Sequence, residues 1–492
     1  MPFRASALVA LLAALTLHTF AAAERPARAP FEIGSRLELF ADGALLDSLR
    51  RACLELHRPA AAGAIFKFDR PWEGNTSWNL TAFQDGDRFR MYYVGRSAPD
   101  YVRTSGLRPG EQVLPKHPDF LCYAESRDGI VWTKPSLGLV EFQGSKDNNI
   151  VSVAADGPGV PFLDGRPGTP AAERYKGARA KGKAGGGDMF ITVSADGIHW
   201  KKWRDAPVFS SSLPNAFDSV NLIFWSEHEG QYVCYFRFMT EGVRSIARTC
   251  SRDLIHWSDQ APLDFGDTPV EHFYTNGATP YFRAPHLYVA FPKRFSPWRK
   301  YYDDMPSPGV SDAVFMATRD GLHWTRYVEA FIRPGRDERN WVHRTTHVSS
   351  GVLPTGPDEI SVYASRNYTY PSAYMERFKL RTDGFVSLHA GHPEGEALTH
   401  PLVFRGENLL LNYETSAGGS IRIEVQDAAG RPLPGFTLEE SPMIFGDSID
   451  APVRWPRPAG TTDRDPLRRL AGTPVRLRFV LHDADLYSLR FK

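Results

Sequence analysis

The chain has 492 residues, too many for one small hydrophobic core, so two domains are expected. Its 58 Lys and Arg residues balance 57 Asp and Glu residues, and this near-neutral charge argues against nucleic acid or an anionic membrane surface as a partner. Aromatic residues make up 12% of the sequence, and 41 glycines and 38 prolines suit many short strands joined by tight turns. No long 3.6-residue apolar period is present after residue 30, which predicts an all-β protein.

Residues 1–23 have the pattern of an export signal. Arg4 is the basic start, Leu8 to Leu17 is an apolar run too short to span a membrane stably, and Ala21-Ala22-Ala23 suits signal cleavage. We therefore expect a secreted or periplasmic protein with no membrane association after the signal is removed. No Cys/His spacing resembles a zinc site, and the four cysteines are expected to be buried free thiols. The oligomeric state is left open.

One seven-residue motif recurs and organises the rest of the chain. It begins with Ser or Thr, continues with Asp and in most copies Gly, and ends with Trp. The full copies are Ser126–Trp132, Ser194–Trp200, Ser251–Trp257 and Thr318–Trp324, and Thr382–Phe385 is a weaker fifth. Ser, Thr and Asp cap a turn, Gly takes a positive φ and Trp packs on a neighbouring sheet, so each copy predicts a hairpin turn. Repeats about 60 residues apart hold four short strands each, which predicts five propeller blades.

The predicted blades follow one another in chain order. Residues 31–60 form an opening segment, which we expect to pair with the last blade and close the ring. The blades are expected at about Trp78 to Trp132, Asn148 to Trp203, Phe217 to Trp257, Glu271 to Trp324 and His343 to Asp383.

After about residue 386 the repeat stops. Three alternating segments then predict an antiparallel β-sandwich: Leu409–Tyr413, Ile421–Val425 and Val475–Val480. The expected organisation is a signal peptide (1–23), a five-bladed β-propeller (24–385) and a C-terminal β-sandwich (386–492), and the sandwich is expected to support the propeller.

Two carboxylates stand where innermost strands begin, at the mouth where a propeller binds its ligand: Asp218 in the third blade and Glu271 in the fourth. Glycosidic cleavage needs such a pair, one to protonate the leaving oxygen and one to attack or to activate water. We name both as candidate catalytic residues, with Glu271 as general acid. The alternative is that each caps its preceding loop. Other polar residues near strand starts are candidate substrate ligands: His272, Tyr274, Asn276, His343 and Asn79.

Arginines end the second strand in four of the five predicted blades. They are Arg96, Arg237, Arg294 and Arg366. Guanidinium groups that converge at one mouth would bind a carboxylate or sulfate through paired hydrogen bonds. This predicts an anionic sugar as substrate, such as a uronic acid, a sialic-type sugar or a sulfated sugar. The alternative is that each arginine pairs with a structural acid on a neighbouring blade.

Five of the tryptophans outside the turn motifs are candidates for sugar stacking. They are Trp72, Trp78, Trp225, Trp298 and Trp341. Stacking on sugar rings and packing between blades are both open for each of them.

Residues 31–385 resemble the five-bladed propeller glycoside hydrolases, a group that includes levanases, invertases, arabinanases and β-xylosidases. The resemblance is carried by the turn motifs and by Gly86–Tyr93. The chain looks more closely like exported family-32-like proteins of planctomycetes and related bacteria. Segments carrying that likeness are Pro71–Gly74, Asp147–Val151, Glu173–Lys176, Phe217–Ser219, Glu271–Asn276 and His482–Tyr487. The resemblance implies a catalytic mouth with carboxylates from three successive blades, although the aspartate of the first blade is not found here.

These observations predict an exported glycoside hydrolase that acts on a polysaccharide or oligosaccharide from a chain end. No cofactor and no catalytic metal are expected, and a structural calcium in the channel is left open. Two alternatives stay open. One is a carbohydrate-binding propeller without turnover, and the other is a lyase for uronic acids that uses Tyr274 with His272 or His343.

Overall fold

The computed structural model describes residues 29–99, 115–183, 185–303, 308–456 and 466–492. This described chain is all-β. It contains no α-helix, and its helical segments are three short 3₁₀ turns at Ala171–Glu173, Glu338–Asn340 and Pro466–Leu470. Accordingly, none of the helices in these ranges is long and apolar enough to cross a membrane. The expected export signal lies outside the described residues.

The chain begins with five strands that pair far away in sequence. They are β1 (Phe31–Gly34), β2 (Glu38–Leu39), β3 (Leu46–Arg50), β4 (Cys53–Leu56) and β5 (Ala60–Lys67). The first four join the C-terminal strands, and β5 joins the last of five small sheets that follow.

Sheets 1 to 3 are antiparallel and are built from consecutive strands. Sheet 1 contains β6 (Trp78–Asp85), β7 (Arg88–Gly95), β8 (Phe120–Ser126), β9 (Trp132–Thr133) and β10 (Ile150–Val153). Sheet 2 contains β11 (Val160–Leu163), β12 (Tyr175–Lys183), β13 (Gly186–Ser194), β14 (Lys201–Lys202) and β15 (Phe209–Ser211). Sheet 3 contains β16 (Leu222–Ser226), β17 (Gln231–Thr240), β18 (Val243–Ser251) and β19 (Ala261–Pro262).

The next two sheets are less regular. A three-stranded side sheet, β20 (His272–Phe273), β23 (Lys293–Ser296) and β24 (Val310–Ala313), accompanies sheet 4. Sheet 4 contains β21 (Thr279–Tyr281), β22 (Ala284–Ala290), β25 (Met316–Thr318) and β26 (Thr325–Arg326). Sheet 5 contains β27 (His347–Val348), β28 (Leu353–Pro354), β29 (Glu359–Arg366), β30 (Tyr374–Arg381) and β5.

Neighbouring sheets contact one another in chain order. Strand β6 packs on β11, β11 on β16, β18 on β20, and β24 on β27. Sheet 5 then returns to sheet 1, where Thr81 forms a β-bridge with Ser350 and the Asn79 side chain donates to the Tyr363 carbonyl at 3.1 Å. This cyclic order of contacts is the one that a ring of blades requires. It also explains why the middle strands β7, β17 and β29 are buried on both faces and carry nearly continuous apolar runs.

The turn motifs have the predicted cap geometry. In the first copy, the Asp128 carboxylate accepts from the backbone N–H groups of Ile130 and Val131 at 2.7 and 2.8 Å. The Ser126 hydroxyl accepts from the N–H of Gly129 at 2.9 Å, and the Trp132 indole donates to the Gly129 carbonyl at 3.0 Å. Gly129 has the expected positive φ, +71°. Because the Asp128 carboxylate is engaged by two backbone N–H groups of its own turn, we interpret the motif aspartates as structural turn caps.

Tyrosines from neighbouring sheets lock three of these turns. Tyr92 donates to the carbonyl of Gly197 at 2.8 Å, and Tyr235 does the same to Gly321 at 2.7 Å. Tyr363 of sheet 5 donates to Gly129 of sheet 1 at 2.6 Å, which links the last sheet to the first. A Cβ added to any of these glycines would lie 2.7 to 3.0 Å from the tyrosine oxygen.

The third motif holds leucine at the glycine position. Leu254 has φ +65°, a strained value for a residue with a Cβ. It is buried in one apolar cluster with Ala178, and no tyrosine hydroxyl hydrogen-bonds to its carbonyl among the described residues. Burial of the leucine side chain offsets the strain of this backbone conformation.

Two predicted boundaries differ from the structure. The strand that completes sheet 5 is β5, whose Lys67 and Phe66 pair with Tyr374 and Met375, whereas most of the predicted closing segment 31–60 joins the C-terminal strands. Ile150–Val153, predicted to open the second blade, instead pairs with β8 as the edge of sheet 1.

The C-terminal strands form one ten-stranded sheet with β1 to β4. They are β31 (Val386–Ala390), β32 (Gly395–Thr399), β33 (Leu402–Phe404), β34 (Leu409–Asp427), β35 (Asp447–Pro452) and β36 (Val475–Phe491). The long strands β34 and β36 alternate buried apolar and outward polar side chains, and the buried ones belong to the largest apolar cluster among the described residues.

Candidate functional site

A cavity of about 430 Å³ lies where the first strands of the sheets approach one another. All five sheets or the loops preceding them contribute to its lining. Residues that line it include Trp78, Leu80, Val160, Ala178, Asp218, Asn221, Tyr274, Lys293, Arg344 and His347. Because a cyclic arrangement of sheets gathers side chains from distant parts of the chain at its centre, this cavity is the candidate site.

Four cationic side chains surround the ring of Tyr274 at this cavity. The charged groups of Arg237, Arg244, Lys293 and Arg344 lie 5.1, 4.9, 4.6 and 5.7 Å from the ring centre. We call these four residues the basic cluster. Each contact is within the range of a cation–π interaction, so the tyrosine partly screens the repulsion among the four charges.

Local backbone structure explains how these residues meet. Tyr274 follows β20 and its N–H donates to the carbonyl of Lys293, the first residue of β23, at 2.7 Å. Arg237 and Arg244 stand on the β17–β18 hairpin. Arg344 has φ +62°, so the turn before β27 holds it in a strained conformation, as often occurs at functional sites.

Lys293 is a member of the basic cluster whose charged form is disfavoured by burial. Its side chain is buried, with 3% exposure, and it forms no ion pair with any carboxylate in the described ranges. Burial, together with the nearby arginines 344, 237 and 244, holds the pKa of Lys293 well below its usual value. Burial also lowers the pKa of His347 well below its usual value, and Lys293 adds to that shift.

Asp218 is the one carboxylate that lines the cavity in the described part of the chain. Its side chain is 75% exposed and forms an ion pair with Arg237. The loop that presents it is held by Asn221, whose amide donates to the carbonyls of Phe217 and Ser219 at 3.1 and 2.8 Å. Phe217 has φ +68°, which places a second strained residue at the rim.

Glu271 does not share this cavity. It lines a separate groove, where its carboxylate forms ion pairs with Arg326 and with Arg294, the latter at 3.3 Å. The structure therefore does not bring the two predicted catalytic carboxylates together in one pocket. Consecutive residues of an extended segment face opposite sides, and His272, the next residue, points toward Arg244, whose N–H donates to its Nδ1 at 3.3 Å.

Only one of the four predicted substrate-binding arginines belongs to the basic cluster, namely Arg237. Arg96 lies 3.3 Å from Asp119, Arg294 is held by Asp312 at 2.6 Å, and Arg366 lies 3.1 Å from Glu376. Arg366 also donates to the carbonyl of Pro334 at 2.5 Å. Three arginines thus pair with acids of their own sheets, whereas the alternative interpretation expected acids on a neighbouring blade.

The remaining predicted ligands are divided between lining and structural positions. Tyr274 lines the cavity, and His343 lies beside it with its ring 6.0 Å from that of Tyr368. Asn79 and Asn276 instead donate to backbone carbonyls and join neighbouring segments, Asn276 to Val220 at 3.3 Å.

Sequence reasoning missed three members of the basic cluster, namely Lys293, Arg244 and Arg344. Lys293 precedes the predicted Arg294, and in a strand this one-residue step exchanges the cavity side for the outer side. The sequence signal that could have identified Lys293 is the apolar run of β22, which ends shortly before this lysine and indicates a buried strand. Arg294 differs because it has an acidic partner, Asp312, on the outer side.

No cluster of three His, Cys, Asp or Glu side chains within the described ranges is arranged to hold a metal ion. A structural calcium stays a prediction. All four cysteines are free, three of them buried and Cys53 exposed.

Comparisons with known proteins show only distant likenesses. No protein-family model matches the sequence, and no curated protein matches it. Among solved structures, an N-acetylgalactosamine deacetylase from F. plautii is 11% identical, with a TM-score of 0.40 over 68% of this chain and 95% of that chain. A β-1,2-mannobiose phosphorylase from Listeria innocua is 14% identical, with a TM-score of 0.42 over 63% and 90%. The Bombyx mori GH32 β-fructofuranosidase BmSUC1 is 10% identical, with a TM-score of 0.42 over 87% and 94%.

Proposed function

We propose that this protein is an exported carbohydrate-active enzyme that binds an anionic sugar unit in the central cavity and cleaves the glycosidic bond beside it. The observation that carries this proposal is the basic cluster. Lys293 and Arg344 line the cavity, and Arg237 and Arg244 adjoin it around the ring of Tyr274. The exposed carboxylate of Asp218 is the only acid that lines the cavity in the described chain. A carboxylate, sulfate or phosphate on the sugar would relieve the repulsion and accept charge-assisted hydrogen bonds.

The proposed architecture is a five-bladed propeller with its ligand at the channel mouth, followed by a supporting C-terminal β-domain. Its support is the cyclic order of sheet contacts and the cavity lining drawn from all five sheets. Export is supported by the charge and apolar pattern of residues 1–23.

Hydrolysis is the first candidate reaction. Asp218 stands at the rim next to the anion-binding groups, where it can exchange a proton with a glycosidic oxygen or a water molecule. Glu271 is not assigned a catalytic role, because it lies in a different groove and is bound by two arginines.

Elimination is a second candidate, favoured by the surroundings of Tyr274 and Lys293. A uronate lyase needs cations to neutralise the sugar carboxylate and a base to remove the proton on the carbon next to it. The electron pair forms a C=C bond, the C–O bond to the neighbouring sugar breaks, and the leaving oxygen takes a proton. Lys293, whose pKa is held low by burial, and the hydroxyl of Tyr274 are the groups placed for these proton transfers.

Turnover of matched anionic and neutral oligosaccharides tests the proposal. We expect cleavage of uronate- or sulfate-bearing glycans and at least tenfold slower cleavage of their neutral counterparts. Ultraviolet absorbance of the products separates the two reactions, since only elimination forms a C=C bond. Cleavage confined to neutral glycans would contradict the role given to the basic cluster.

A further inference from the structure

A second groove lies beside the candidate site, on the outer side of β20 and β23. Its volume is about 600 Å³. The loop after β23 supplies Trp298 to its lining, and the segment before β27 supplies Trp341. The charged residues of its lining are Glu271, Arg294, Arg299, Asp312, Glu329 and Arg333.

The tryptophans give the groove apolar surface that the protein itself does not cover. The Trp298 side chain is 65% exposed, which makes it one of the largest exposed apolar groups of the described chain. Trp341 is better held, because its indole donates to the Gly335 carbonyl at 2.9 Å and the Tyr301 ring stacks on it at 5.2 Å with an interplanar angle of 19°. A ligand that covers the Trp298 face would remove apolar surface from water, which is favourable.

The charged groups of the groove compensate one another. Arg294 donates to both oxygens of Asp312 at 2.8 and 2.6 Å and contacts Glu271 at 3.3 Å, and Arg326 forms the second ion pair of Glu271. Three carboxylates and three guanidinium groups thus line the groove. Such a network offers fixed donors and acceptors without net charge, which suits uncharged hydroxyl groups.

The groove is adjacent to the cavity through His272. The ring of His272 lies 6.5 Å from that of Trp298, and its Nδ1 accepts from the N–H of Arg244, a member of the basic cluster. One side of this histidine therefore faces Trp298 of the groove, and the other side faces Arg244 of the basic cluster. A glycan of a few units is long enough to reach both.

We infer that this groove is a second subsite for the same glycan, in which an uncharged sugar ring covers the exposed face of Trp298 while an anionic unit occupies the cavity. A sugar ring has an apolar C–H face and a rim of hydroxyls, which match the indole and the compensated charges respectively. The inference rests on the proposed function, and it assigns the substrate an anionic unit and a neutral unit that are farther apart than the two units of a disaccharide.

Binding of length-matched glycans by the full-length protein tests this subsite. The probes are disaccharides and hexasaccharides of hyaluronan, chondroitin sulfate and glucuronoxylan, immobilised as an array, with neutral xylohexaose added. We expect the wild type to bind at least one anionic hexasaccharide about tenfold more tightly than its disaccharide. Trp298→Ala should abolish that length preference while leaving disaccharide binding unchanged, and Trp298→Phe should keep most of it.

Controls separate this inference from the proposed function. Phe282→Ala, at another exposed aromatic side chain, should keep the length preference, and both alanine variants should unfold at the wild-type temperature. Equal binding of short and long glycans by the wild type, or an unchanged preference in Trp298→Ala, would overturn the subsite. If no anionic disaccharide binds, the proposed function fails instead, and the groove is then tested by xylohexaose, whose binding must depend on Trp298.

Discussion

Two buried lysines in this molecule have opposite surroundings. Lys176 is almost inaccessible to solvent, and its ammonium donates to Asp164 at 2.6 Å. Lys293 is equally buried but faces three arginines and an aromatic ring. The first arrangement satisfies a buried charge and the second does not, so Lys293 is costly to charge in the folded protein, and the proposed anionic ligand would relieve that cost.

Replacing Lys293 by methionine is expected to stabilise the free protein. At pH 7, Lys293→Met should raise the free energy of unfolding in urea by about 0.5–2 kcal/mol, because it removes a group that is costly to charge in the folded state. The same change should abolish binding of anionic sugars, since the cavity loses an ammonium group. Urea titrations and binding measurements on one preparation check both effects.

The pH dependence of this difference has a definite sign. The folded-state pKa of Lys293 is lowered from the ordinary lysine value of 10.5, so between the two values the unfolded chain holds a proton that the folded chain lacks. Wild-type stability therefore rises with pH across that window. The advantage of Lys293→Met should be full below the lowered pKa and should vanish as the pH approaches 10.5.

Lys176→Met is the matched control for Lys293→Met. It leaves the Asp164 carboxylate buried without its cation, which should cost about 3–5 kcal/mol. A loss of similar size for Lys293→Met would show that Lys293 is a structural residue and would remove it from the site.

Carboxylate substitutions separate the two predicted catalytic residues. For a hydrolase, Asp218→Asn should lower kcat by about 10²–10⁴, the usual contribution of a positioned acid or base. Glu271→Gln should leave kcat within about threefold and should lower the free energy of unfolding by about 1–3 kcal/mol, because the guanidinium of Arg326 loses its charged partner. Initial rates and urea titrations on both variants check this, and loss of turnover in Glu271→Gln alone would return that residue to the mechanism.

At the level of single residues, the sequence pointed to the right strands but not to the right sides of them. Asp218, Arg237 and Tyr274 were identified from their positions at strand ends and do meet at the cavity. Glu271 and Arg294 stand one residue from His272 and Lys293, and that step places them in the outer groove. Side-chain direction depends on the pairing of β20 and β23, which turn residues and apolar runs do not encode.

The turn motif is more than a cap, because it interlocks neighbouring sheets. In three copies, a tyrosine from another sheet donates to the carbonyl of the motif glycine, and the hydroxyl occupies the space of the missing Cβ. The copy with Leu254 has no such hydroxyl bond among the described residues, and its leucine side chain is buried in an apolar cluster. Glycine is therefore required by a neighbour as well as by its positive φ.

A double-mutant cycle at Gly197 and Tyr92 tests this interlock. A Cβ on Gly197 would lie 2.7 Å from the Tyr92 oxygen, so Gly197→Ala should cost about 2–4 kcal/mol, combining that clash with the left-handed φ of +78°. Removing the hydroxyl in Tyr92→Phe should make the same substitution less costly by about 0.5–3 kcal/mol. Unfolding free energies of the four proteins give the coupling.

Gly168 provides the comparison for this cycle. It has φ +77° with no atom within 4 Å of an added Cβ, so Gly168→Ala should cost only the backbone term of about 1–2 kcal/mol. Equal costs at Gly168 and Gly197, or additivity in the cycle, would show that the tyrosine does not set the glycine requirement.

Elements marked by turn chemistry were predictable, and elements defined only by their partners were not. The spacing of the four Asp-x-x-x-Trp turns located sheets 1 to 4 because the capping contacts lie within seven residues. Strand β5 has the sequence Ala-Ala-Ala-Gly-Ala-Ile-Phe-Lys, with small residues and no apolar alternation, and its strand conformation depends on pairing with β30.

At the scale of the whole molecule, one buried carboxylate ties the cycle of sheets to the C-terminal sheet. Asp383 accepts from Tyr281 at 2.6 Å and from Arg283 at 3.0 Å, both from sheet 4. It also accepts from Asn412 on β34 at 3.2 Å and from Ser488 on β36 at 2.8 Å. Its four partners come from two parts of the molecule, so both parts lose contacts if the carboxylate is removed.

Asp383→Ala is expected to weaken the contact between the cycle of sheets and the C-terminal sheet more than it lowers the stability of either part. The substitution leaves the Arg283 guanidinium with only Asp450 as an acidic partner and should cost about 3–5 kcal/mol. We expect calorimetry to show one unfolding transition for the wild type and two for the variant. Asp383→Asn, which tolerates the φ of +63° and keeps the hydrogen-bonding shape, should cost less, and a single unshifted transition in Asp383→Ala would show that the parts are joined elsewhere.

The position of β5 in sheet 5 has a consequence for biosynthesis. Its partner strand is made about 300 residues later, so at typical elongation rates the nascent chain waits roughly 15–60 s before that edge can be covered. During this delay the first strands of the molecule have neither of their eventual neighbours, because β1 to β4 also pair with strands near the other end. Ribosome-stalled chains ending before Tyr374 should therefore be cleaved by protease in residues 31–67, and chains that extend past Lys492 should resist.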